Sequence, residues 1–343
     1  MRHVLFACLD SLFLYSRYMV IIVKKSFIIL LIAILLFLNI SCRQQQTTTP
    51  TSTIPLSTAS TYKFGATYMT MNNPFFVALN DGIKAVVEAN GDHLITLDPV
   101  LDQARQINQI NDLISLNVDA IFLNPVDWQG VKPALEACVA AGIPVINVDA
   151  PVYDEDLVDC IVASDNYNAG VLCAQDMMKR IDSGNIVILE HPTAKSAIDR
   201  TQSFIDTIHG NDKYKIVARQ SSEGQLEQAM PVMEKIIQEN TTIDVVMALN
   251  DPTALGALAA LQSSNRIENV LLYGVDGSPD AKKMVKDGFI TATAAQTPKG
   301  IGEASADIAY RILAGDSVEK LILVPVTLID ANNVNEFGID GWQ

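Results

Sequence analysis

Residues 120–149 read AIFLNPVDWQGVKPALEACVAAGIPVINVD, and the change of rhythm inside this stretch decides the fold class. Ala120 to Leu123 is a short apolar run of the length of a buried strand. Val131 to Ala141 carries its apolar residues at helical spacing, Gly142 stops it, and Pro144 to Val148 is a second short run. Strand, helix and strand within roughly thirty residues make a βαβ unit. Such a unit requires a parallel strand pair and a right-handed crossover.

The rhythm continues in both directions. Upstream, Phe64 to Tyr68 is an expected strand, Phe75 to about Ala89 a helix, His93 to Leu97 a strand and Gln103 to Leu116 a helix. The pattern restarts after Cys160 to Ala163. Helices over Ala169–Arg180, Ser196–Ile208, Leu226–Glu239 and Ala254–Leu261 alternate with strands at Asn185–Leu189, Tyr214–Ala218, Ile243–Ala248 and Val270–Tyr273. Ile290–Ala295 is a last strand before a helix over Ile301–Leu313. The expectation is two successive α/β doubly wound parallel sheets. In open α/β sheets the binding crevice lies beyond the strand C-termini, so two facing sheets define a cleft.

The N-terminus carries a different signal. Phe27 to Leu38 is wholly apolar, Lys24 and Lys25 precede it, and Asn39-Ile40-Ser41-Cys42 follows. A basic segment, a short apolar segment and a small residue describe an export signal over residues 1–41, with Met19 an alternative start. The apolar run is shorter than the roughly 20 residues of a membrane-spanning helix. Cys42 after Ser41 resembles a bacterial lipoprotein lipidation site, although Asn39 stands where an aliphatic residue is usual. Lipidation at Cys42 is therefore expected, with residues 42–61, rich in Gln, Thr, Ser and Pro, as a flexible tether.

The chain has 343 residues and a formal charge of −15. Removing residues 1–41 would take Arg2, Arg17, Lys24 and Lys25 but only Asp10, leaving a still more acidic body. Such a body repels nucleic-acid phosphates and anionic lipid surfaces, and it suits a neutral ligand and a monomer. Cys138, Cys160 and Cys173 are odd in number and form no C-x-x-C pair. They read as buried packing residues rather than a disulfide framework or a metal site.

Polar residues recur where strands end: Asn72 and Asn73, Asn124, Asp149, then Asn250 and Asp251, Asp276 and Gln296. Amides both donate and accept, and an ionised carboxylate accepts from two hydroxyls. A ring of these with few cations suits a polyhydroxyl ligand. Phe75, Phe76 and Trp128 lie beside the same strand ends and offer rings for an apolar sugar face. The plainer role for an Asn or Asp after a strand is a turn or a helix N-cap.

Six short motifs occur in order: Met71-Asn72-Asn73-Pro74-Phe75-Phe76, Leu123-Asn124-Pro125, Ala163-Ser164-Asp165-Asn166, Leu249-Asn250-Asp251, Gly274-Val275-Asp276-Gly277 and Ala295-Gln296. Over roughly Tyr62 to Val326 the chain resembles the ribose/galactose-type periplasmic solute-binding proteins of ABC sugar transporters. The resemblance implies two Rossmann-like lobes joined by a three-crossover hinge. It divides the chain into a first lobe over 62–164 plus 297–325 and a second over 165–296 plus 326–343. It implies ligand roles for Asn73, Phe75, Phe76, Asn124, Asp149, Arg200, Asn250, Asp276 and Gln296, with Trp128 a further candidate. The implied partners are a small sugar or polyol and an ABC transporter permease, with no cofactor.

Three positions depart from the ribose-binding pattern. Ala150 stands where those proteins carry Arg after the fourth-strand Asp, an aromatic near Gly224 is missing, and Val275 replaces the aromatic before Asp276. Trp128 is the expected substitute wall. A sugar-responsive transcription regulator would need a basic helix-turn-helix before the first strand, where this chain has an export signal. An enzyme finds no G-x-S-x-G, H-E-x-x-H, P-loop or G-x-G-x-x-G here. A sensor module presenting ligand to a membrane receptor is the remaining alternative.

Overall fold

The structure, a computed structural model, describes residues 61–240 and 242–343. The export signal, the Met19 start, lipidation at Cys42 and the tether up to residue 60 lie outside the described residues.

In chain order the first elements are β1 (Lys63–Thr67), α1 (Pro74–Ala89), β2 (His93–Leu97), α2 (Gln103–Ser115), β3 (Ala120–Leu123), α3 (Lys132–Ala141), β4 (Val145–Val148) and β5 (Cys160–Ser164). Then come α4 (Asn166–Arg180), β6 (Gly184–Glu190), α5 (Lys195–Ile208), β7 (Tyr214–Ser221), α6 (Leu226–Glu239), β8 (Val245–Ala248), α7 (Asp251–Ser263), β9 (Leu271–Asp276), α8 (Pro279–Lys286) and β10 (Ala292–Ala295). The last are α9 (Pro298–Leu313), β11 (Leu321–Val324), β12 (Thr327–Asp330) and α10 (Val334–Phe337).

Two six-stranded sheets result, with orders β11-β5-β4-β3-β1-β2 and β12-β10-β9-β8-β6-β7. The two orders are equivalent strand for strand, and every pair is parallel except β10 with β12. The expected two-lobed α/β fold is the observed one. Each sheet carries apolar clusters on its two faces. On α1, Leu79, Ile83 and Val87 recur every fourth residue and are fully buried, each contributing about 1.5–3 kcal/mol of apolar burial.

The chain crosses between lobes three times. β5 belongs to the first sheet, yet α4 packs on α5 and on β10 of the second lobe. β10 belongs to the second sheet, yet α9 packs on α1. β11 and β12 lie on different sheets with only Pro325 and Val326 between them.

The sequence rhythm does not announce β11, β12, α8 or α10. β11 is an edge strand with Leu321 and Leu323 exposed, so its four apolar residues lack the alternation of a half-buried strand. β9 runs past Tyr273, the expected end of the strand, through Gly274 to Asp276. Gly274 serves close approach: a Cβ there would fall 2.4 Å from Asp251 Oδ1. Cys138, Cys160 and Cys173 are free and buried, and burial pushes the Cys138 thiol up to about 12.

Candidate functional site

The strand C-termini of both sheets face one shared space, lined by residues of both lobes. Local rules put the polar side chains there. Asn73 is the N-cap of α1, its Oδ1 accepting from Phe75 N at 3.0 Å, with Pro74 opening the helix. Asn250 caps α7 in the same way, accepting from Thr253 N at 3.0 Å, and its Nδ2 donates to Gly224 O at 3.0 Å. The cap role and the cleft position coincide, because a cap side chain at a strand end already stands at the sheet's binding edge.

Asp149 and Asp276 follow β4 and end β9, with φ of 63° and 132°. Both are non-glycine residues in left-handed backbone, a conformation that costs on the order of 1–3 kcal/mol and clusters at functional sites. Arg200, on the buried face of α5, is the cation between them. Its Nη1 lies 3.5 Å from Asp276 Oδ1 and its Nη2 3.9 Å from Asp149 Oδ1. Arg200 is held by Asn166, whose Oδ1 accepts from Nε at 2.7 Å, and by Leu249 O at 3.1 Å. Gln296 Nε2 donates to Asp276 Oδ1 at 2.8 Å.

Several buried polar atoms here have no hydrogen-bond partner within the protein: Asp149 Oδ1, Asp276 Oδ2, Gln296 Oε1 and both nitrogens of His191. Three are oxygens with lone pairs only, so what satisfies them must donate. Burial pushes the Asp149 carboxyl up to about 6, against the pull of Arg200 and the Asn124 amide. Burial also raises Asp276 well above the usual range, with the charges of Asp251 and Asp149 adding to it and Arg200 opposing.

Of the expected site residues, Asn73, Phe75, Phe76, Asp149, Arg200, Asn250, Asp276 and Gln296 line this one space. Asn124 and Trp128 are not among the residues that line it. Asn124 is fully buried behind the wall: its Oδ1 accepts from Met69 N at 3.2 Å, and its Nδ2 donates to Val148 O at 3.1 Å and to Asp149 Oδ2 at 3.3 Å. It orients Asp149 and does not reach the cavity. Trp128 packs edge-on against Tyr153 at 5.3 Å and is not in the cavity wall.

His191, just after β6, is not among the residues expected from the sequence. It is 7% exposed, lines the space beside Gly224, and burial lowers its pKa, keeping the ring neutral. The available signal was its place immediately after a strand and before Pro192. Asp251, the first residue of α7, lies deeper, accepting from Ser278 N and Thr293 Oγ1 at 2.7 Å each.

The lobes are closed on one another. Asn72 Nδ2 donates to Gln225 Oε1 at 3.2 Å, and Trp128 N donates to Thr193 O at 3.1 Å. Ala194, Ala197 and Leu249 of the second lobe join the apolar cluster that holds Phe75 and Phe76 of the first. Among the described residues no group of three or more His, Cys, Asp or Glu side chains is arranged to hold a metal.

Two Rossmann-like lobes, three crossovers and a polar cavity closed between facing strand ends define a hinged solute-binding protein. Residues 64–317 match the periplasmic binding protein domain family, and the chain belongs to it. Among its relatives is the ribose import binding protein RbsB of Bacillus subtilis, 34% identical over 268 residues, 78% of this chain and 87% of the relative. The D-ribose/D-allose-binding protein of Pseudomonas aeruginosa is 28% identical over 298 residues, 82% of this chain and 93% of the relative. Among solved structures, an ABC transporter solute-binding protein of Mycobacterium smegmatis with bound glycerol superposes with a TM-score of 0.78 at 31% identity. It covers 82% of this chain and 99% of that one.

Proposed function

We propose that this chain captures a small sugar or polyol by closing its two lobes and delivers it to an ABC transporter permease. The observation that carries the reading is the set of unpartnered buried acceptors, Asp149 Oδ1 from one lobe and Asp276 Oδ2 and Gln296 Oε1 from the other. Ligand hydroxyls supply the donors these atoms lack, and the free N–H groups of Asn73 and Asn250 meet ligand oxygens. Phe75 and Phe76 present ring surface to the apolar face.

One arginine beside two carboxylates leaves the cavity without net positive charge, which disfavours phosphorylated or acidic sugars. Because both lobes contribute acceptors, a bridging ligand gains contacts only on closure, and that difference drives the equilibrium. In this reading the protein works outside the cytoplasm as a monomer, held to the membrane through a lipid on Cys42, and carries out no turnover.

A thermal-shift panel of D-ribose, D-allose, myo-inositol and xylitol tests the ligand class, since a tight ligand raises the melting temperature by mass action. At least one neutral polyhydroxyl compound is expected to stabilise the chain. Stabilisation only by amino acids, peptides or phosphate esters would defeat the reading. Radiolabelled palmitate incorporation that is lost in Cys42→Ala tests the tether.

A further inference from the structure

The last 13 residues after β12 end in Trp342 and Gln343, beyond the strand that completes the second sheet. They are built into the second lobe. Val334 is buried, and Phe337 and Ile339 pack on its apolar cluster. Lys282 of α8 is fully buried, and its Nζ donates to Gly341 O at 2.7 Å. The Gln343 amide, oriented to satisfy both neighbours, donates to Gly277 O at 3.2 Å and accepts from Lys282 Nζ. Gly277 directly follows the cavity residue Asp276, so the tail is fastened beside the cleft.

From that anchor the Trp342 ring reaches the other lobe. It meets Phe75 edge to face, centroids 5.9 Å apart at 81°, and packs against the first-lobe apolar cluster. Phe75 in turn meets Phe76 edge to face at 5.5 Å, and both line the cavity. One ring from the second lobe therefore backs Phe75, and through it Phe76, at the cavity's edge.

We propose that Trp342 is a positioning residue for ligand binding, a C-terminal latch that holds Phe75 in place and favours the closed lobes. Closure gains stability only from contacts that exist when closed and are lost when open. The Trp342–Phe75 contact is of that kind, since its two rings ride on different lobes. It needs no ligand, so it raises the population of the competent state, and apparent affinity rises in proportion. The role in affinity rests on the closing-cleft reading above; the contact between tail and Phe75 does not.

The test compares the full chain with Trp342→Ala and Trp342→Phe. Hydrogen exchange is followed over residues 74–80 without sugar. Dissociation is followed for whichever of D-ribose, D-allose, myo-inositol and xylitol most stabilises the wild-type chain. An edge-to-face pair of this kind is worth roughly two- to tenfold in an equilibrium. Trp342→Ala is expected to speed exchange at 74–80 and to raise the dissociation rate by that factor with association unchanged. Trp342→Phe is expected to restore most of both.

Unchanged exchange and dissociation in Trp342→Ala would overturn the latch, as would faster exchange spread evenly through the second-lobe core. A wild-type chain stabilised by none of the four compounds would count against the sugar reading instead. The exchange comparison would still decide the tail.

Discussion

Asp149 and Arg200 approach each other from opposite lobes, Oδ1 to Nη2 3.9 Å apart, with both side chains nearly fully buried. Arg200 is shared with Asp276 at 3.5 Å, so a single cation offsets two carboxylates. That arrangement leaves Asp149 incompletely compensated, and burial holds its pKa up at about 6.

Asp149→Asn is therefore expected to stabilise the unliganded chain at pH 7 while abolishing its response to sugar. The folded pKa lies above the unfolded value near 3.8, so the folded state binds more protons and wild-type stability falls as pH rises through about 6. The stabilisation by Asn should be on the order of 1–3 kcal/mol at pH 7 and shrink towards pH 4, where the carboxyl is protonated. Melting curves of both chains at pH 4.5, 6 and 7.5 check the sign. A constant difference across that range would contradict it.

Sugar affinity of the wild-type chain should weaken on acidification through about pH 6. Hydroxyls that donate to Asp149 favour its ionised form, so binding releases a proton wherever the carboxyl is partly protonated. Calorimetry in buffers of different ionisation enthalpy reads this directly. Proton uptake rather than release would mean that the ligand meets a neutral acid.

Asn250 does two jobs, and substitutions separate them. Asn250→Ala removes the α7 cap as well as the cleft amide. It should lower stability by about 1 kcal/mol and eliminate sugar binding. Asn250→Asp keeps a capping oxygen but loses the donor to Gly224 O and adds a third buried carboxylate to the cavity. It should bind weakly with its cap intact. Denaturant midpoints and titrations on the two variants distinguish these effects.

Much of this was legible in the sequence because the same residues satisfy local and global rules. Asn73 and Asn250 could be placed from cap chemistry alone, and the strand–helix rhythm put both at a sheet's binding edge. Asn124 was legible as a strand-end amide but not as a buried brace, since only the neighbouring strands reveal that Met69 N, Val148 O and Asp149 use it up. The place of Trp128 was hidden for the opposite reason: an aromatic near a strand end has several neighbours to choose from, and this one packs on Tyr153. The contact of Trp342 with Phe75 spans nearly the whole described chain, and no local pattern encodes such a pair.

His191→Leu should leave the unliganded chain as stable as wild type or about 1 kcal/mol more so, because it removes a buried ring whose nitrogens lack partners. Sugar affinity should fall roughly tenfold or more if the ring bonds a hydroxyl. An unchanged affinity would make His191 packing alone.

Gly170 sets the depth of Arg200. A Cβ at Gly170 would fall 1.9 Å from Arg200 O, backbone that cannot yield cheaply, and 2.2 Å from the side-chain Oγ of Ser203. Gly170→Ala should push α5 outward, at a cost of about 1–3 kcal/mol from overpacking. It should also weaken sugar binding more than Gly288→Ala, which meets nothing within 4 Å and strains only its own backbone, at a φ of 82°. Titration of both variants with the same sugar makes the comparison.

The first sheet is completed by β11, which pairs with β5 although about 160 positions separate Leu321 from Ile161. Neither half of the molecule is thus a continuous piece of chain, and the first to be synthesised waits for a strand made after the whole second sheet but β12 before its edge is covered. Pairings so distant in sequence slow the search for the native state. A nascent chain of this design keeps that edge uncovered until β11 has emerged.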